Sequence, residues 1–312
     1  MKINNLISKW PLLLAFGAIT IFSSCEDDDP APVDNTITGK VTGDANFNLL
    51  ETAVVQAGLA GTLSGTGPFT VFAPDNAAFT AEGFTEASLK ATAPATLSNI
   101  LLYHTIASKI LANQVPAGPN AKVITASGDS VFVTSNAAGV FVNGIQVTQA
   151  NIEASNGVIH KVGRVIVPPS GTTVATAIAV SGGDNGLDSL VVAVTRAGLA
   201  GTLNGNILTV FAPTNKAFKD LLGVLSLSNI GQIPLTTLTN VLTYHVVGGR
   251  KFSSDLATGP LTMFAGGNTT VALGTGATIK GNGNGTNVSN IIKTNITTRS
   301  GVVHVIDRVL LP

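Results

Sequence analysis

The sequence contains one pattern twice, because segments of its first half return in the same order about 140 residues later. The heptapeptide AGLAGTL fills residues 57–63 and again residues 197–203. The distance between matched positions drifts from 139 residues, for positions 69 and 208, to 144, for positions 160 and 304, as small loop insertions would produce. A unit of this length is the size of a self-sufficient domain and far exceeds a solenoid repeat. We therefore expect two domains, each with its own core.

The first 24 residues have the layout of a secretory signal. Two lysines precede an apolar run at residues 11–22, and two serines then lead to Cys25, the only cysteine of the chain. The run is too short for a spanning helix, which needs about 20 apolar residues. Residues 22–25 resemble a bacterial lipobox, with Phe22 in place of the usual leucine. We expect residues 1–24 to be a lipoprotein signal peptide and Cys25 to carry the lipid that holds the protein to a membrane.

Residues 25–34 are expected to form an extended acidic tether. Four consecutive acidic residues at 26–29 are followed by Pro-Ala-Pro, a composition that cannot bury apolar surface. An acidic cluster directly behind a lipidated cysteine resembles the signal with which Bacteroidetes send lipoproteins to the outer face of the outer membrane. The predicted location is therefore the outer membrane, at the cell surface. A linker that faces the periplasm is the alternative.

The charge balance argues against a nucleic-acid partner. Without residues 1–24 the chain has 15 basic and 17 acidic side chains, a formal charge of −2. Nucleic-acid binding needs a basic patch that replaces phosphate counterions. We therefore expect no nucleic acid among the partners, and no membrane contact other than the lipid on Cys25.

Both halves contain the same series of predicted elements. Apolar residues at helical spacing predict a helix over residues 45–57, capped by Asp44, and a counterpart in the second half. A short apolar strand then ends at a proline. After that proline, Asp75 in the first half and Thr214 in the second are placed to cap another helix. The two strand-ending prolines are Pro74 and Pro213.

A third predicted helix ends near a Tyr-His pair, and the remainder of each half is rich in strand patterns. An Asn-Gly pair at residues 143–144 predicts a tight hairpin, and closing strands are predicted over residues 158–167 and 302–311. Because helices come first and strands last, the predicted fold class is α+β rather than parallel α/β. The predicted domains are residues 35–169 and 172–312, and the prolines of the short joint between them restrict relative motion.

Three repeated motifs resemble the signature blocks of the fasciclin domain. They are Thr-Val-Phe-Ala-Pro-(Asp/Thr)-Asn-x-Ala-Phe, the Tyr-His pair, and the closing (Asn/Ser)-Gly-Val-(Ile/Val)-His. The resemblance covers nearly all of residues 35–312. It implies two tandem fasciclin-like domains, each a wedge of two β-sheets with a helical cap, used outside the cell for adhesion to proteins or matrix. It also implies a candidate adhesion motif that consists of Tyr103, His104, Tyr244 and His245.

All four histidines lie in the repeated motifs. His160 and His304 alternate with apolar residues along the closing strands, so their rings share a face with the core. A buried imidazole needs hydrogen-bond partners, and the Asn and Thr side chains of the first motif are candidates. A metal site and an adhesive surface are the alternatives, although neither motif brings a second ligand at the short spacing that zinc favours. The residues expected to serve the fold are Pro74, Asn76, His160, Pro213, Asn215 and His304.

The sequence contains no Gly-x-Ser-x-Gly elbow and no Walker loop. We therefore expect no enzyme, no cofactor and no metal site. Asp184, Asn185 and Asp188 could bind a cation weakly, but capping of a helix is the expected role of Asp184. Ser130 and Ser189 each follow an aspartate in a pattern that resembles the O-glycosylation acceptor of Bacteroidetes, and whether either is modified stays open.

The function that these features predict is non-enzymatic binding. A surface-anchored pair of rigid domains would recognise an extracellular protein, a matrix component or a glycan, and duplication raises the effective concentration for a repetitive ligand. The alternative is a carbohydrate-binding accessory lipoprotein of a polysaccharide-uptake system. Sugar binding uses aromatic platforms, and Trp10, the only tryptophan, lies in the predicted signal, which disfavours this alternative. The ligand, the domain that binds it and the oligomeric state stay open.

Overall fold

A computed structural model of the protein describes residues 33–312. The predicted signal peptide, Cys25 and all but the end of the tether lie outside the described residues. From Asp34 onward, the two halves of the chain fold into matching domains, here domain 1 and domain 2, whose elements follow nearly the same order.

Domain 1 begins with three helices, continues with a strand and three more helices, and ends with six strands. The helices are α1 (Ile37–Thr42), α2 (Asn48–Gln56), α3 (Ala60–Leu63), α4 (Asn76–Ala81), α5 (Glu86–Ala91) and α6 (Pro94–Tyr103). The strands are β1 (Phe69–Pro74), β2 (Thr105–Ile106), β3 (Gly118–Ile124), β4 (Ser130–Asn136), β5 (Gly139–Val142), β6 (Ile145–Ala154) and β7 (Gly157–Val162).

Domain 2 repeats this order, with a short 3-10 turn at Ile230–Gln232 in the place of α5. The helices are α7 (Thr173–Ala179), α8 (Asp188–Arg196), α9 (Ala200–Gly205), α10 (Asn215–Val224) and α11 (Leu235–Thr243). The strands are β8 (Leu208–Pro213), β9 (Val246–Gly248), β10 (Gly259–Thr262), β11 (Asn268–Leu273), β12 (Ala277–Lys280), β13 (Ser289–Thr298) and β14 (Gly301–Ile306).

The seven strands of each domain pair in the same order and bend into a wedge. The order is β2-β1-β7-β6-β5-β4-β3 in domain 1 and β9-β8-β14-β13-β12-β11-β10 in domain 2. β1 runs parallel to β7 and β8 runs parallel to β14, whereas the other neighbours are antiparallel. β6 and β13 each contain two register shifts, which bend the strand so that it pairs with both halves of the wedge. The predicted α+β fold is confirmed.

Buried apolar residues of the described chain form four clusters, two in each domain. One cluster lies between the helices and the strand β1 or β8, and it includes Phe79 in domain 1 and Phe218 in domain 2. The second cluster fills the wedge around Phe72 or Phe211. None of the four extends from one domain into the other, so each domain has a core of its own.

Most of the predicted helix starts and turns are found. The Asp75 carboxylate accepts a hydrogen bond from the Ala78 amide (2.8 Å) at the start of α4, and Thr214 caps α10 in the same way. Asn143 and Gly144 have φ angles of 48° and 72°, which gives the predicted two-residue hairpin between β5 and β6. Asp44 caps a 3-10 turn that precedes α2, and α1 was not predicted at all.

The capping role predicted for Asp184 is wrong. α8 begins at Asp188, and the residue before it, Leu187, has no side chain that can cap. The Asp188 carboxylate instead accepts hydrogen bonds from the Gly182 amide (2.9 Å) and the Asn215 amide group (2.7 Å). The turn before α8 is therefore stabilised by Asp188, the first residue of the helix itself. Asp184 is exposed on the surface.

The closing strands are shorter than predicted, because β7 ends at Val162 and β14 ends at Ile306. Four residues beyond each strand end, a backbone amide donates to a histidine of the Tyr-His pair. The Ile166 amide lies 2.9 Å from His104 Nε2, and the Leu310 amide lies 2.8 Å from His245 Nε2. The apolar residues that follow each shorter strand are thus held by a side-chain acceptor and not by a neighbouring strand.

Candidate functional site

The tyrosines of the Tyr-His pairs lie inside the domains. Tyr103 is 0 % exposed and Tyr244 is 2 % exposed. The Tyr103 hydroxyl donates to the Ser130 carbonyl (2.9 Å) and accepts from the Asn143 side-chain amide (3.0 Å). The Tyr244 hydroxyl donates to the Asn268 carbonyl (2.5 Å). Burial raises the pKa of Tyr103 to about 12, so the phenol stays protonated and joins the end of α6 to the far half of the wedge.

The adjacent histidines are equally buried and bond to backbone on both sides of the ring. The Nδ1 atoms of His104 and His245 lie 2.8 Å and 2.7 Å from the carbonyls of Ile100 and Val241. Since Nε2 accepts an amide hydrogen in both rings, Nδ1 carries the proton and donates it to the helix carbonyl. Burial lowers the pKa of both rings to about 4, an effect that the carbonyl contact only partly opposes, so both are neutral at pH 7.

The histidines of the closing strands use the opposite tautomer. Nε2 donates to the Ile110 carbonyl in His160 (2.8 Å) and to the Lys251 carbonyl in His304 (2.9 Å), while Nδ1 accepts a longer bond from a β6 or β13 amide. The rings also pack against phenylalanines, with centroid distances of 5.8 Å for His160 and 5.4 Å for His304. Burial lowers the pKa of both, to about 4 for His304.

These contacts correct two expectations. The partners of the four imidazoles are backbone groups, not the Asn and Thr side chains of the first motif. Direct adhesion through Tyr103, His104, Tyr244 and His245 is incompatible with this structure, because all four are between 0 % and 2 % exposed. Within residues 33–312, no three or more His, Cys, Asp or Glu side chains lie together in a group that could hold a metal ion.

The asparagines and prolines of the first motif are also occupied within the fold. Asn76 accepts from the Leu49 amide (3.0 Å) and donates to the Ala45 carbonyl (2.8 Å), which ties α4 to the start of α2. Asn215 makes the matching bond to the Ser189 amide (2.8 Å) in domain 2. Pro74 and Pro213 are the last residues of β1 and β8.

The residues that join the two domains are ones that the sequence reasoning missed. Asn120 lies in domain 1, at the register shift near the start of β3. Its side-chain amide donates to the Arg250 carbonyl (2.8 Å) and to the Asp255 carboxylate (3.0 Å) of domain 2. Thr134 donates to the other oxygen of that carboxylate (3.2 Å). We call these residues, together with Phe132, Gly144, Phe252, Ser253 and Asn295, the interdomain contact.

Within the interdomain contact, the Arg250 side chain touches both domains. Its guanidinium carbon lies 4.3 Å from the centre of the Phe132 ring in domain 1, in the geometry of a cation–π interaction. The same guanidinium donates to the carbonyls of Thr298 and Gly301 within domain 2. Phe252 places a second ring 6.1 Å from Phe132, so the polar bonds surround an aromatic centre.

The backbone of Gly144 lies directly against side chains of domain 2. Its carbonyl accepts from the Asn295 side-chain amide (3.2 Å) and from the Ser253 hydroxyl (3.4 Å). A Cβ atom at this position would lie 2.7 Å from Phe252 Cβ, closer than real side chains come. Only glycine fits here, because the site also requires a φ of 72°.

A family model of the Fasciclin domain matches residues 45–168 and 185–312. The chain belongs to the fasciclin-domain family. Within residues 33–312, no helix is both long and apolar enough to cross a membrane.

Three relatives and one solved structure illustrate the similarity of this fasciclin-domain chain to known proteins. Protein sll1483 of Synechocystis sp. is 40% identical over 136 residues, which cover 43% of this chain and 74% of that protein. Transforming growth factor-beta-induced protein ig-h3 of Sus scrofa is 36% identical over 139 residues, 45% of this chain and 20% of that protein. Human periostin is 28% identical over 257 residues, 80% of this chain and 29% of periostin. The chain thus spans less than a third of the latter two.

The solved structure is that of a FAS1 domain pair from the insect cell adhesion molecule fasciclin I. It aligns with a TM-score of 0.42 and 18% identity, over 88% of this chain and 96% of the insect chain.

Proposed function

We propose that this chain is a non-enzymatic binding protein, which recognises an extracellular macromolecule through two domains held in a fixed arrangement. The interdomain contact is the observation that carries the proposal. Two binding surfaces that are fixed relative to each other lose less orientational freedom on binding than two surfaces on a flexible linker, so a repetitive ligand is bound more tightly. Fasciclin domains occur in cell-adhesion proteins, which supports binding as the general role.

The histidine contacts support a role without catalysis. A general base needs a ring nitrogen that can reach a substrate proton. In the described chain, both nitrogens of His104, His160, His245 and His304 face backbone groups of the protein itself. No imidazole is therefore available to a substrate, and we propose that the binding surface lies on exposed loops and strands rather than in the motifs.

We further propose that a lipid on Cys25 anchors the protein to the outer membrane, with residues 25–34 as the tether. The support is the sequence pattern of residues 22–25 and the acidic run behind it. Mass spectrometry of the mature protein should find an acylated N-terminal cysteine, and Cys25→Ser should release the protein from the membrane fraction. Protease treatment of intact cells then separates the cell surface, where the chain is cut, from the periplasmic face, where it is protected.

One observation favours the carbohydrate-binding alternative. A cleft of about 310 Å³ lies beside the interdomain contact and is lined by hydroxyl, amide, carboxylate and guanidinium groups, the chemistry that binds sugar hydroxyls. Among the described residues, the buried Oδ1 atom of Asn120, which lines this cleft, has no hydrogen-bond partner. The Oδ1 atom itself is buried, so a glycan in the cleft would pair with this acceptor after the Asn120 side chain turns toward it.

The experiment compares protein arrays and glycan arrays probed with soluble protein that comprises residues 34–312. A variant that disrupts the interdomain contact, Asn120→Ala with Asp255→Ala, is probed beside it, and Lys219→Ala on the exposed face of α10 is the matched surface control. Binding to a matrix protein that weakens in the double variant supports the proposed function. Binding to glycans alone would favour the alternative, and turnover of a bound glycan or peptide would overturn both.

A further inference from the structure

The wedge of domain 1 contains an apolar cavity of about 230 Å³. The cavity lies between the chain that follows β2 and the strands β1, β3, β4, β5 and β6, on the side of the sheet opposite to the helices. Its apolar wall includes Phe72, Ile106, Ile110, Val115, Val133 and Val147. An engineered apolar cavity of about 150 Å³ is large enough to bind benzene, so this space exceeds the size that a small ring requires.

Thr70 and His160, the buried polar side chains in the wall of the cavity, are already satisfied. The Thr70 hydroxyl donates to the Ser108 carbonyl (2.6 Å) and accepts from the Ile110 amide (2.8 Å). The His160 ring bonds to the Ile110 carbonyl and to the Asn151 amide. The third polar side chain, Gln114, lies exposed at the rim, so the buried part of the cavity offers a water fewer than the two polar partners that it needs. Dry space of this size is unusual, because protein interiors are close-packed.

Domain 2 provides a comparison within the same chain. By strand register and loop position, Leu256 stands where domain 1 has Val115, and Ile291 stands where it has Val147. Leu256 belongs to the buried cluster of the domain 2 wedge, and Ile291 packs against that cluster. In domain 1, Val115 is only partly buried, and Val147, partly buried like Ile291, is one methylene shorter. The fold therefore tolerates larger side chains at both positions, and domain 1 leaves their volume empty.

We propose that the wedge of domain 1 is a binding site for a small, uncharged, apolar molecule. The wall carries no charged side chain that could pair with an ionised group, and His160 is neutral at pH 7 because its burial lowers the pKa of the ring. Entry is past the segment that contains Gln114 and Pro116, two exposed residues that border the cavity. This site is independent of the surface that the proposed function uses.

The probe for this proposal is N-phenyl-1-naphthylamine, an uncharged apolar dye whose fluorescence rises in apolar surroundings. The wild-type chain should bind about one molecule, and the variant Val115→Leu with Val147→Ile, which copies domain 2, should bind at least about tenfold more weakly. Its melting temperature should be unchanged or higher, since the added methylenes fill a void. Val55→Ile, on the exposed face of α2, is the matched control that adds a methylene elsewhere.

Methyl NMR keeps the test informative if the double variant packs poorly. In the wild-type chain, the dye should shift the methyl signals of Val133 and Val147 and leave those of the domain 2 wedge in place. The single variant Val147→Ile should weaken both the shifts and the fluorescence. Equal binding by the wild-type and filled chains, absence of dye binding, or shifts confined to the helices would overturn the proposal.

Discussion

Each histidine of the chain joins two stretches of backbone that are distant in sequence. His104 connects a carbonyl of α6 to an amide 62 residues later, and His304 reaches back 53 residues to the Lys251 carbonyl. An imidazole suits this task because it offers one donor and one acceptor on opposite sides of a rigid ring. The repeat pattern identified these residues as important to the fold. It did not identify their partners, since backbone acceptors leave no trace in the sequence.

Acidification should destabilise the protein well above the range in which its carboxylates titrate. His104, His245 and His304 have pKa values near 4 in the folded chain, mainly because of burial, and near 6.5 when exposed. Between these values the unfolded chain binds more protons, so stability falls as the pH falls, by up to about 1.4 kcal/mol per pH unit for each ring. Asp75 and Asp188 stay ionised because their pKa values are lowered.

Urea denaturation at about pH 7.5 and about pH 5.5 measures this dependence. His245→Asn removes one titrating ring and should flatten it, whereas Lys219→Ala on the surface should leave it unchanged. An unfolding free energy that is equal at both pH values would contradict the neutral, buried state of the rings.

His304→Ala should lower the free energy of unfolding by about 2–4 kcal/mol, because it opens a cavity beside Phe211 and leaves the Lys251 carbonyl without its donor. Thermal and urea unfolding provide the measurement. Binding to an extracellular ligand should be unaffected at temperatures where the variant is folded. A variant with wild-type stability that loses ligand binding would show instead that the ring serves recognition.

At the scale of elements, local signals were sufficient where a helix begins with its own cap. Asp75 and Thr214 could be predicted because a capping side chain bonds to amides within three residues. The start of α8 could not, because its turn is closed by Asp188 and by Asn215 from another helix. Likewise, the chain beyond each closing strand bonds to a histidine that follows α6 or α11, a tertiary contact that the apolar pattern does not indicate.

The two domains use different residue pairs where the closing strand packs against the start of α4 or α10. In domain 1, Lys161 on β7 forms an ion pair with Asp75 at the start of α4 (2.9 Å), and both side chains are about one-fifth exposed. In domain 2, Val305 and Thr214 hold the matching positions. The ion pair and the valine–threonine pair are therefore alternatives at the same junction.

Lys161→Val alone should destabilise domain 1 by about 1 kcal/mol, because Asp75 then lacks its cation in a partly buried site. Adding Asp75→Thr should restore most of that loss, since threonine keeps the cap of α4 and requires no partner. A double-mutant cycle by urea denaturation gives the coupling energy, expected at about 0.5–1.5 kcal/mol. Strictly additive effects of the two substitutions would contradict the idea that the ion pair and the valine–threonine pair are interchangeable. Lys90→Ala, which breaks an exposed ion pair on α5, is the matched control.

At the scale of the whole molecule, the repeat predicted two domains but not how they meet. Gln114 and Asp255 end matched 3-10 turns 141 residues apart, whereas Ala121 and Gly259 hold matched strand positions only 138 residues apart. Domain 1 therefore has three more residues in this stretch, and Asn120 of the interdomain contact lies in it. An insertion in one copy of a repeat can thus indicate, from sequence alone, where two domains meet. The residues of domain 2 that it contacts could be identified only from the structure.

Gly144→Ala should separate the two domains while both stay folded. The new Cβ would meet Phe252 Cβ and the Asn295 side chain at 2.7 Å, which blocks the approach that the contacts of Asn120 and Arg250 require. Gly83→Ala is the matched control, because its φ of 82° is similar but a Cβ there meets nothing within 4 Å. Both variants should lose about 1–2 kcal/mol through backbone strain. Only Gly144→Ala should increase the radius of gyration in small-angle X-ray scattering and split thermal unfolding into two transitions. Scattering identical to that of the wild-type chain would mean that the interdomain contact does not set the arrangement of the domains.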